Sequence, residues 1–225
     1  MGQTSPRWEI SGGVGAVGYL GDLNQNRFWS RAFRSGAHAE AKRYLNDFLA
    51  LRYRFQVGQF CGKDSYYPNR QSRNLSVEPL FIENALLLDW DWYNLNPLFY
   101  RQRYSAQAVF SPYLFTGIAV VYANPKPTFD QTLTPYTWIR EGIAQDQNAR
   151  YSKMHVAFPL GGGIKYDLSP DWIISAEASI RLTTTDYLDG VSMAGNPDRT
   201  DSYQMGTLTL TKRLGLKKKN IRKKW

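Results

Sequence analysis

The chain has 225 residues, 43% of them hydrophobic, and a mean hydropathy of −0.47. A bundle of membrane helices is excluded, because no apolar run approaches the ~20 residues a spanning helix needs; the best stretches, Phe48–Leu51 and Leu114–Ala123, stop short. The single cysteine, Cys61, rules out an internal disulfide and a cysteine-based metal centre, and the net charge of +9 is local, since Lys212–Trp225 holds eight Lys or Arg and no side-chain acid.

Period-two alternation dominates the chain from its start, as expected of strands with one oily and one wet face. Trp8, Ile10, Val14, Ala16 and Leu20 share a parity opposite Glu9, Ser11, Gly13 and Gly15, which predicts a first strand over Arg7–Leu20. Gly21–Ser35 is polar with aromatic punctuation and reads as a loop. Ala37–Tyr44 sets small residues against His38, Glu40 and Lys42 in a second strand, and Leu45-Asn46-Asp47 is a tight turn. In the third strand Leu49, Leu51, Tyr53, Phe55 and Val57 alternate with Ala50, Arg52, Arg54, Gln56 and Gly58. After the polar loop Gln59–Ser76, strand four places Ile82, Leu86, Leu88, Trp90 and Trp92 opposite Glu83, Ala85, Leu87, Asp89 and Asp91.

Tyr93–Tyr104 is a connection to strand five, Ala106–Tyr122, with Leu114, Ile118, Val120 and Tyr122 on one face. Ala123–Ala149 reads as a long loop containing three prolines. The clearest alternation spans Tyr151–Tyr187. Met154, Val156, Phe158, Leu160, Ile164 and Tyr166 oppose Lys153, His155, Ala157, Pro159, Gly161, Gly163 and Lys165. Past the turn at Asp167–Asp171, Trp172, Ile174, Ala176, Ala178, Ile180 and Leu182 oppose Ser175, Glu177, Ser179, Arg181 and Thr183. Loop Thr185–Thr200 and strand eight, Tyr203–Leu214, complete the set.

The fold class expected is all-β: an eight-stranded antiparallel transmembrane β-barrel with short periplasmic turns and long extracellular loops. Short connections at 45–47, 93–104 and 167–171 alternate with long ones at 21–35, 59–78, 123–149 and 185–200, the ordering of outer-membrane barrels. An up-and-down soluble barrel has no reason to sort its loops this way. With this topology Trp8, Trp90, Trp92, Tyr166 and Trp172 gather at the periplasmic strand ends, where an interfacial girdle belongs. The barrel is assigned to residues 1–214 and a basic periplasmic tail to 215–225. No apolar leader follows Met1, so an exported chain is expected to be numbered from near its mature end.

The wet parity would line the lumen. It collects Lys42, Arg52, Arg54, Lys153, Lys165 and Arg181 against Glu9, Glu40, Glu83, Asp89, Asp91 and Glu177. Eight strands leave room for side chains and not for a channel, so these groups are expected to pair and plug it. His38 and His155 fall on the same inward parity. No GxSxG and no paired-histidine metal spacing occurs, and Gly161-Gly162-Gly163 sits mid-strand and opens no phosphate-binding helix. Neither a catalytic residue nor a cofactor is expected; the alternatives are a lipid-modifying hydrolase or acyltransferase, in which His38 or His155 would approach a Ser or an acid, and a small soluble ligand-binding β-barrel with an oily cavity. Cys61 falls in an outer loop, as an unpaired small residue or as half of an intermolecular disulfide. The tail reads as a solvated end or as a contact for anionic headgroups or an acidic partner, and not as a nucleic-acid site, because no aromatic-studded groove accompanies it.

Four blocks carry a family resemblance: GGVGAVGYLGDLN (Gly12–Asn24), SPYLFTGIAVVYANPKP (Ser111–Pro127), YSKMHVAFPLGGGIKYDLSPDW (Tyr151–Trp172) and TDYLDGVS (Thr185–Ser192). They resemble the PorG family, small outer-membrane barrels of the type IX secretion system, and the similarity spans nearly the whole chain. The lysine-rich extension past Leu214 departs from barrels that end on an aromatic residue closing the last strand. The resemblance implies a non-enzymatic barrel in the bacterial outer membrane. It would dock a periplasmic ring of a PorK-like lipoprotein and its PorN-like partner, with outer-membrane lipids around it and no small-molecule substrate. Side and charge nominate Tyr100, Arg101 and Arg103 in the periplasmic connection, and Lys217, Lys218, Lys219, Arg222, Lys223 and Lys224 in the tail, as contact residues.

Overall fold

A computed structural model describes residues 8–24, 32–46, 48–67, 75–91, 110–129, 137–149, 151–169, 171–195 and 200–214. Eight antiparallel strands close into a barrel: β1 (Trp8–Leu20), β2 (Arg34–Tyr44), β3 (Leu49–Gln59), β6 (Leu80–Asp91), β7 (Phe110–Ala123), β9 (Met154–Asp167), β10 (Trp172–Thr183) and β11 (Ser202–Leu214). Each pairs with its neighbour in the barrel, and β1 meets β11 at the seam, Trp8 opposite Leu214 and Leu20 opposite Ser202. The predicted strands are all present with shifted ends. β2 begins at Arg34 and β6 at Leu80, and β7 is described over Phe110–Ala123. Trp92, Tyr93–Tyr104 and the tail from 215 lie outside the described residues, as do the ends proposed at Arg7 and Ala106.

The parity decides between the two barrels. Leu51, Tyr53, Phe55, Leu86, Leu88, Leu114, Ile118, Phe158, Leu160, Leu208 and Leu210 all point outward, while Arg52, Arg54, Glu83 and Arg181 are sealed inside. A soluble barrel reverses this; only a hydrocarbon surround makes an apolar exterior and a charged interior favourable together. Several of the polar side chains that face outward have partners. The Tyr53 hydroxyl donates to Asn84 Oδ1 at 2.6 Å, and Thr116 Oγ1 donates to the Pro159 carbonyl at 3.2 Å. Trp8, Trp90 and Trp172 sit outward at one rim, where the Phe110 and Tyr166 rings meet at a tilt, 4.8 Å between centroids. That rim also carries both short turns. Asn46 Oδ1 accepts from the Phe48 and Leu49 amides in one, and Ser169 Oγ accepts from the Trp172 amide in the other.

The long connections at the opposite rim are folded, which the sequence reading did not anticipate. Three short strands, β4 (Gly62–Lys63), β5 (Leu75–Val77) and β8 (Thr128–Phe129), form a separate sheet. A helix, α1 (Thr137–Asn148), replaces the second half of the predicted loop Ala123–Ala149. Its buried face repeats at Ile139, Ile143 and Asp146, a helical spacing of only two apolar residues, too short a stripe to stand out. Gly142 lets α1 touch the last loop, since a Cβ there would lie 2.7 Å from the Met193 carbonyl oxygen. Leu23, Phe60, Leu75, Val77, Ile139, Ile143, Leu188, Val191 and Ala194 form a dry cap core continuous with the upper lumen. Phe60 joins the two, stacking on Phe81 at 4.3 Å and meeting Tyr203 edge-on at 5.1 Å.

Candidate functional site: a sealed lumen and its outer cap

The inward residues of the lower barrel come from all eight strands and interlock. Strand pairing places Glu40 beside Arg54 and Lys42 beside Arg52 on β2 and β3. Glu177, from the opposite wall, accepts from Arg52, Arg54 and the Tyr113 hydroxyl. Arg52 also meets Glu40 at 3.3 Å and Asp89 at 2.9 Å, while Lys42 reaches Asp89 at 2.7 Å. Arg54 pairs with Glu40 as well. Lys165 binds Asp91 and lies 4.3 Å from the Tyr113 ring centroid. Higher up, Arg181 contacts Glu83 at 3.3 Å and Tyr203 donates to the same carboxylate. Aromatic faces and opposite charges together compensate the cost of holding these ions out of water.

All eight residues assigned to the lumen network, Glu40, Arg52, Arg54, Glu83, Asp89, Lys165, Glu177 and Arg181, are buried within it. Lys153 is a correction. It lies before β9 and is exposed on the outer side, because the strand begins at Met154. Two members were missed. Arg213, counted with the basic tail, points inward from β11 and holds Asp167 at 2.7 Å and Glu9 at 3.5 Å; Asp167 had been read as a turn residue. Strict parity carried to the last residue of β9 and β11 would have found both.

His38 and His155 do point inward. His38 Nε2 lies 3.0 Å from Thr209 Oγ1 and 4.0 Å from Glu40 Oε1. One nitrogen makes both contacts, so the acid does not orient the ring toward the hydroxyl as a nucleophile–base relay requires, and the group is buried in the wall. His155 Nε2 has no hydrogen-bond partner. Cys61 is buried beneath the cap, its thiol donating to Glu78 Oε1 at 3.3 Å. Burial pushes that thiol up to about 11, which makes it a poor nucleophile and a poor disulfide former. Lys63 and Arg34, 3.0 and 2.7 Å away, hold the Glu78 carboxyl down to about 2.

The cap contains a cavity of about 450 Å³ between α1 and the loops, walled by Pro125, Pro127, Ile143, Tyr151, Val191 and Ala194. Gly190, at φ +76°, closes one side. A Cβ there would come within 3.1 Å of Pro125 and Pro127. Beneath it lies an acidic knot. Tyr19 Oη is 2.7 Å from Asp189 Oδ2 and 2.6 Å from Asp201 Oδ1, and also accepts the Asp22 amide at 3.1 Å. One phenolic proton serves one carboxylate, so the second close contact calls for a proton retained on an aspartate. Burial and the neighbouring acids raise Asp189, and push Asp201 up to about 8; burial pushes Asp186 up to about 7.

The sign of the pH effect follows. These carboxyls bind protons more tightly in the folded cap than in an open loop, so their contribution is complete below about pH 4 and is lost as pH rises through 7 and 8. Glu78 titrates near 2 and lies outside that window. Hydrogen exchange at the Leu188 and Val191 amides, which donate to Asp201 and Asp189, is therefore expected to lose protection between roughly pH 6 and 9, beyond the intrinsic base catalysis. Protection independent of pH would show that the knot holds no shared proton.

Solved structures share this architecture. Neisserial surface protein A superposes with a TM-score of 0.50 at 11% identity, covering 94% of this chain and 100% of that one. The attachment invasion locus protein Ail of Yersinia pestis, in complex with the heparin analogue sucrose octasulfate, gives 0.46 at 11% identity, over 91% and 96% of the two chains. The N-terminal β-barrel domain of Pseudomonas aeruginosa OprF gives 0.46 at 10%, over 93% and 98%. At such identities the likeness is one of fold, and it is the apolar exterior around a charged lumen that makes this an outer-membrane barrel. No curated protein matches the sequence. A family model described as a domain of unknown function, DUF6089, matches residues 8–215.

Proposed function

We propose that this chain, which belongs to the DUF6089 family, is a non-enzymatic outer-membrane component of the type IX protein secretion machinery. It would anchor a periplasmic ring of a PorK-like lipoprotein and a PorN-like partner against the membrane. The observation that carries the reading is the filled lumen. Arg52, Arg54, Glu40 and Glu177 interlock across its full width, so the barrel works as a post and not as a conduit. A post acts through its ends. The girdle lies at the periplasmic end, where β6 and β11 end and β7 begins, and this reading assigns to that end the connection containing Tyr100, Arg101 and Arg103 and the tail with Lys217, Lys218, Lys219, Arg222, Lys223 and Lys224. Their positive charge suits an acidic periplasmic surface. The sequence blocks that resemble the PorG family supply the identity of the partner.

The test is extraction of membranes in a mild detergent, pulling on a tag in an outer loop. Co-purification of a lipoprotein and a large soluble periplasmic protein is expected, at near-unit recovery relative to the barrel. Removal of residues 217–225 is expected to lower that recovery several-fold and to make the remainder salt-sensitive. A barrel that comes out alone at physiological salt would overturn the secretion role; full recovery without the tail would move the contact to residues 93–104.

A further inference from the structure

The lipid-facing surface of the barrel is almost free of charge. Among the described residues, the outward positions of the eight strands include two charged side chains, Arg43 on β2 and Lys212 on β11. Both lie at the periplasmic rim, and each sits over a tryptophan of the adjoining strand. The Arg43 guanidinium is 5.6 Å from the Trp8 ring centroid and the Lys212 ammonium is 5.6 Å from that of Trp172. Because β2, β1, β11 and β10 are consecutive around the wall, the four residues make one belt across the seam. β2 and β11 are two strand spacings, about 10 Å, apart, and Lys212 lies two residues further up, level with Ile10, so the long side chains span the remaining distance. No carboxylate among the described residues pairs with either one.

A shallow groove rises from this belt. Ala41, Ala39, Ala37 and Ser35 follow Arg43 up the outward face of β2. On one side their cross-strand neighbours are Tyr53, Phe55 and Val57 of β3. On the other, Ile10 flanks Ala41, Gly12 flanks Ala39 and Val14 flanks Ala37. A Cβ at Gly12 would touch only the His38 carbonyl oxygen, at 3.9 Å, so the barrel's own packing does not demand glycine there. From Ala41 to Ser35 the groove spans roughly 20 Å, enough for an acyl chain across one leaflet of a ~30 Å hydrocarbon core.

We infer that this belt and groove bind one anionic phospholipid of the periplasmic leaflet. Its phosphate lies between Arg43 and Lys212 at the level of Trp8 and Trp172, and one acyl chain lies along Ala41–Ser35. The charge argues for a lipid. Cations on a hydrocarbon-facing surface at headgroup depth meet phosphates, and the aromatic ring beneath each one fixes it there. A small-residue face alone would suit a membrane-embedded protein segment equally well. The inference rests on the membrane barrel and is independent of the secretion role.

The experiment is native mass spectrometry of the folded barrel with equimolar phosphatidylglycerol and phosphatidylcholine of identical chains. One phosphatidylglycerol is expected to be retained with roughly ten- to thirtyfold preference. The double variant Arg43→Gln, Lys212→Gln is expected to bring the preference near parity, whereas Ala39→Leu is expected to weaken retention of both lipids without changing their ratio. Equal retention by the unmodified barrel, or a preference that survives the double variant, overturns the inference. A photo-crosslinking residue at Ala39 in intact cells supplies a readout that needs no charge change. A lipid adduct is expected, and a protein adduct would assign the face to a membrane partner instead.

Discussion

Substitution of Glu177 by alanine is expected to destabilise the barrel by about 3–5 kcal/mol, the scale for removing one partner from a buried ion pair. Glu177 is the acceptor shared by Arg52 and Arg54, from β3 on the far wall, and Tyr113, from β7 two strands away. Without it, Arg54 retains Glu40 and Arg52 retains Glu40 and Asp89, but two guanidiniums then compete for acids that are already engaged. Glu177→Gln keeps one acceptor oxygen, sets an amide donor against the other guanidinium, and is expected to fall between wild type and alanine. The readout is the urea midpoint of the refolded barrel in micelles, followed by tryptophan fluorescence and by heat-modifiable mobility. A loss below about 1 kcal/mol would mean that water replaces the carboxylate and that the lumen is wetter than this packing allows. Lys153→Ala serves as the control; it is expected to leave the midpoint unchanged, because Lys153 is exposed outside the strand.

A backbone clash produces the other large loss. Gly117 faces inward on β7, where a Cβ would lie 2.1 Å from the Leu86 carbonyl oxygen and 2.9 Å from the Leu87 Cα. These are backbone atoms of the neighbouring strand, so no rotamer change can relieve them. On the opposite side the β7–β9 register runs Thr116 with Leu160 and resumes at Ala119 with Ala157. The interruption coincides with Pro159, which has no amide hydrogen to donate. Gly117 thus sits where β7 comes closest to β6 and where its ladder to β9 is interrupted at Pro159. Gly117→Val is expected to cost about 3 kcal/mol, the upper end for overpacking, and to yield little heat-modifiable barrel on refolding. Gly206→Ala, where a Cβ meets nothing within 4 Å, is expected to fold normally. Equal behaviour of the two variants would show that the wall yields at this close approach.

Much of this was legible in the chain because it depends on backbone direction alone. Side chains alternate across a strand whatever the strand pairs with, so Arg52, Arg54, Glu83, Glu177 and Arg181 could be assigned to one face and Leu51, Leu86, Leu160 and Leu210 to the other. The girdle at Trp8, Trp90 and Trp172 followed once the short and long connections were sorted by length. The folded cap was not legible. Its strands run two or three residues, and α1 advertises itself with Ile139 and Ile143 only, so no local period identifies them. The acidic knot was missed for a related reason. Tyr19, Asp189 and Asp201 meet across more than 160 residues of sequence, and each alone resembles an ordinary loop or strand residue.

The sequence by itself determined that the wall is a set of amphipathic strands, which face of each is oily, and that short and long connections alternate between them. Those properties are set residue by residue through strand geometry and hydropathy. Only the tertiary structure decided that Glu177 is the shared acceptor, that Arg213 and Asp167 belong to the lumen while Lys153 does not, and that Arg43 and Lys212 share one belt. Such pairings depend on closure of β1 against β11 and on the register of every ladder between them. Register is a collective property of neighbouring strands and leaves no mark on any one of them.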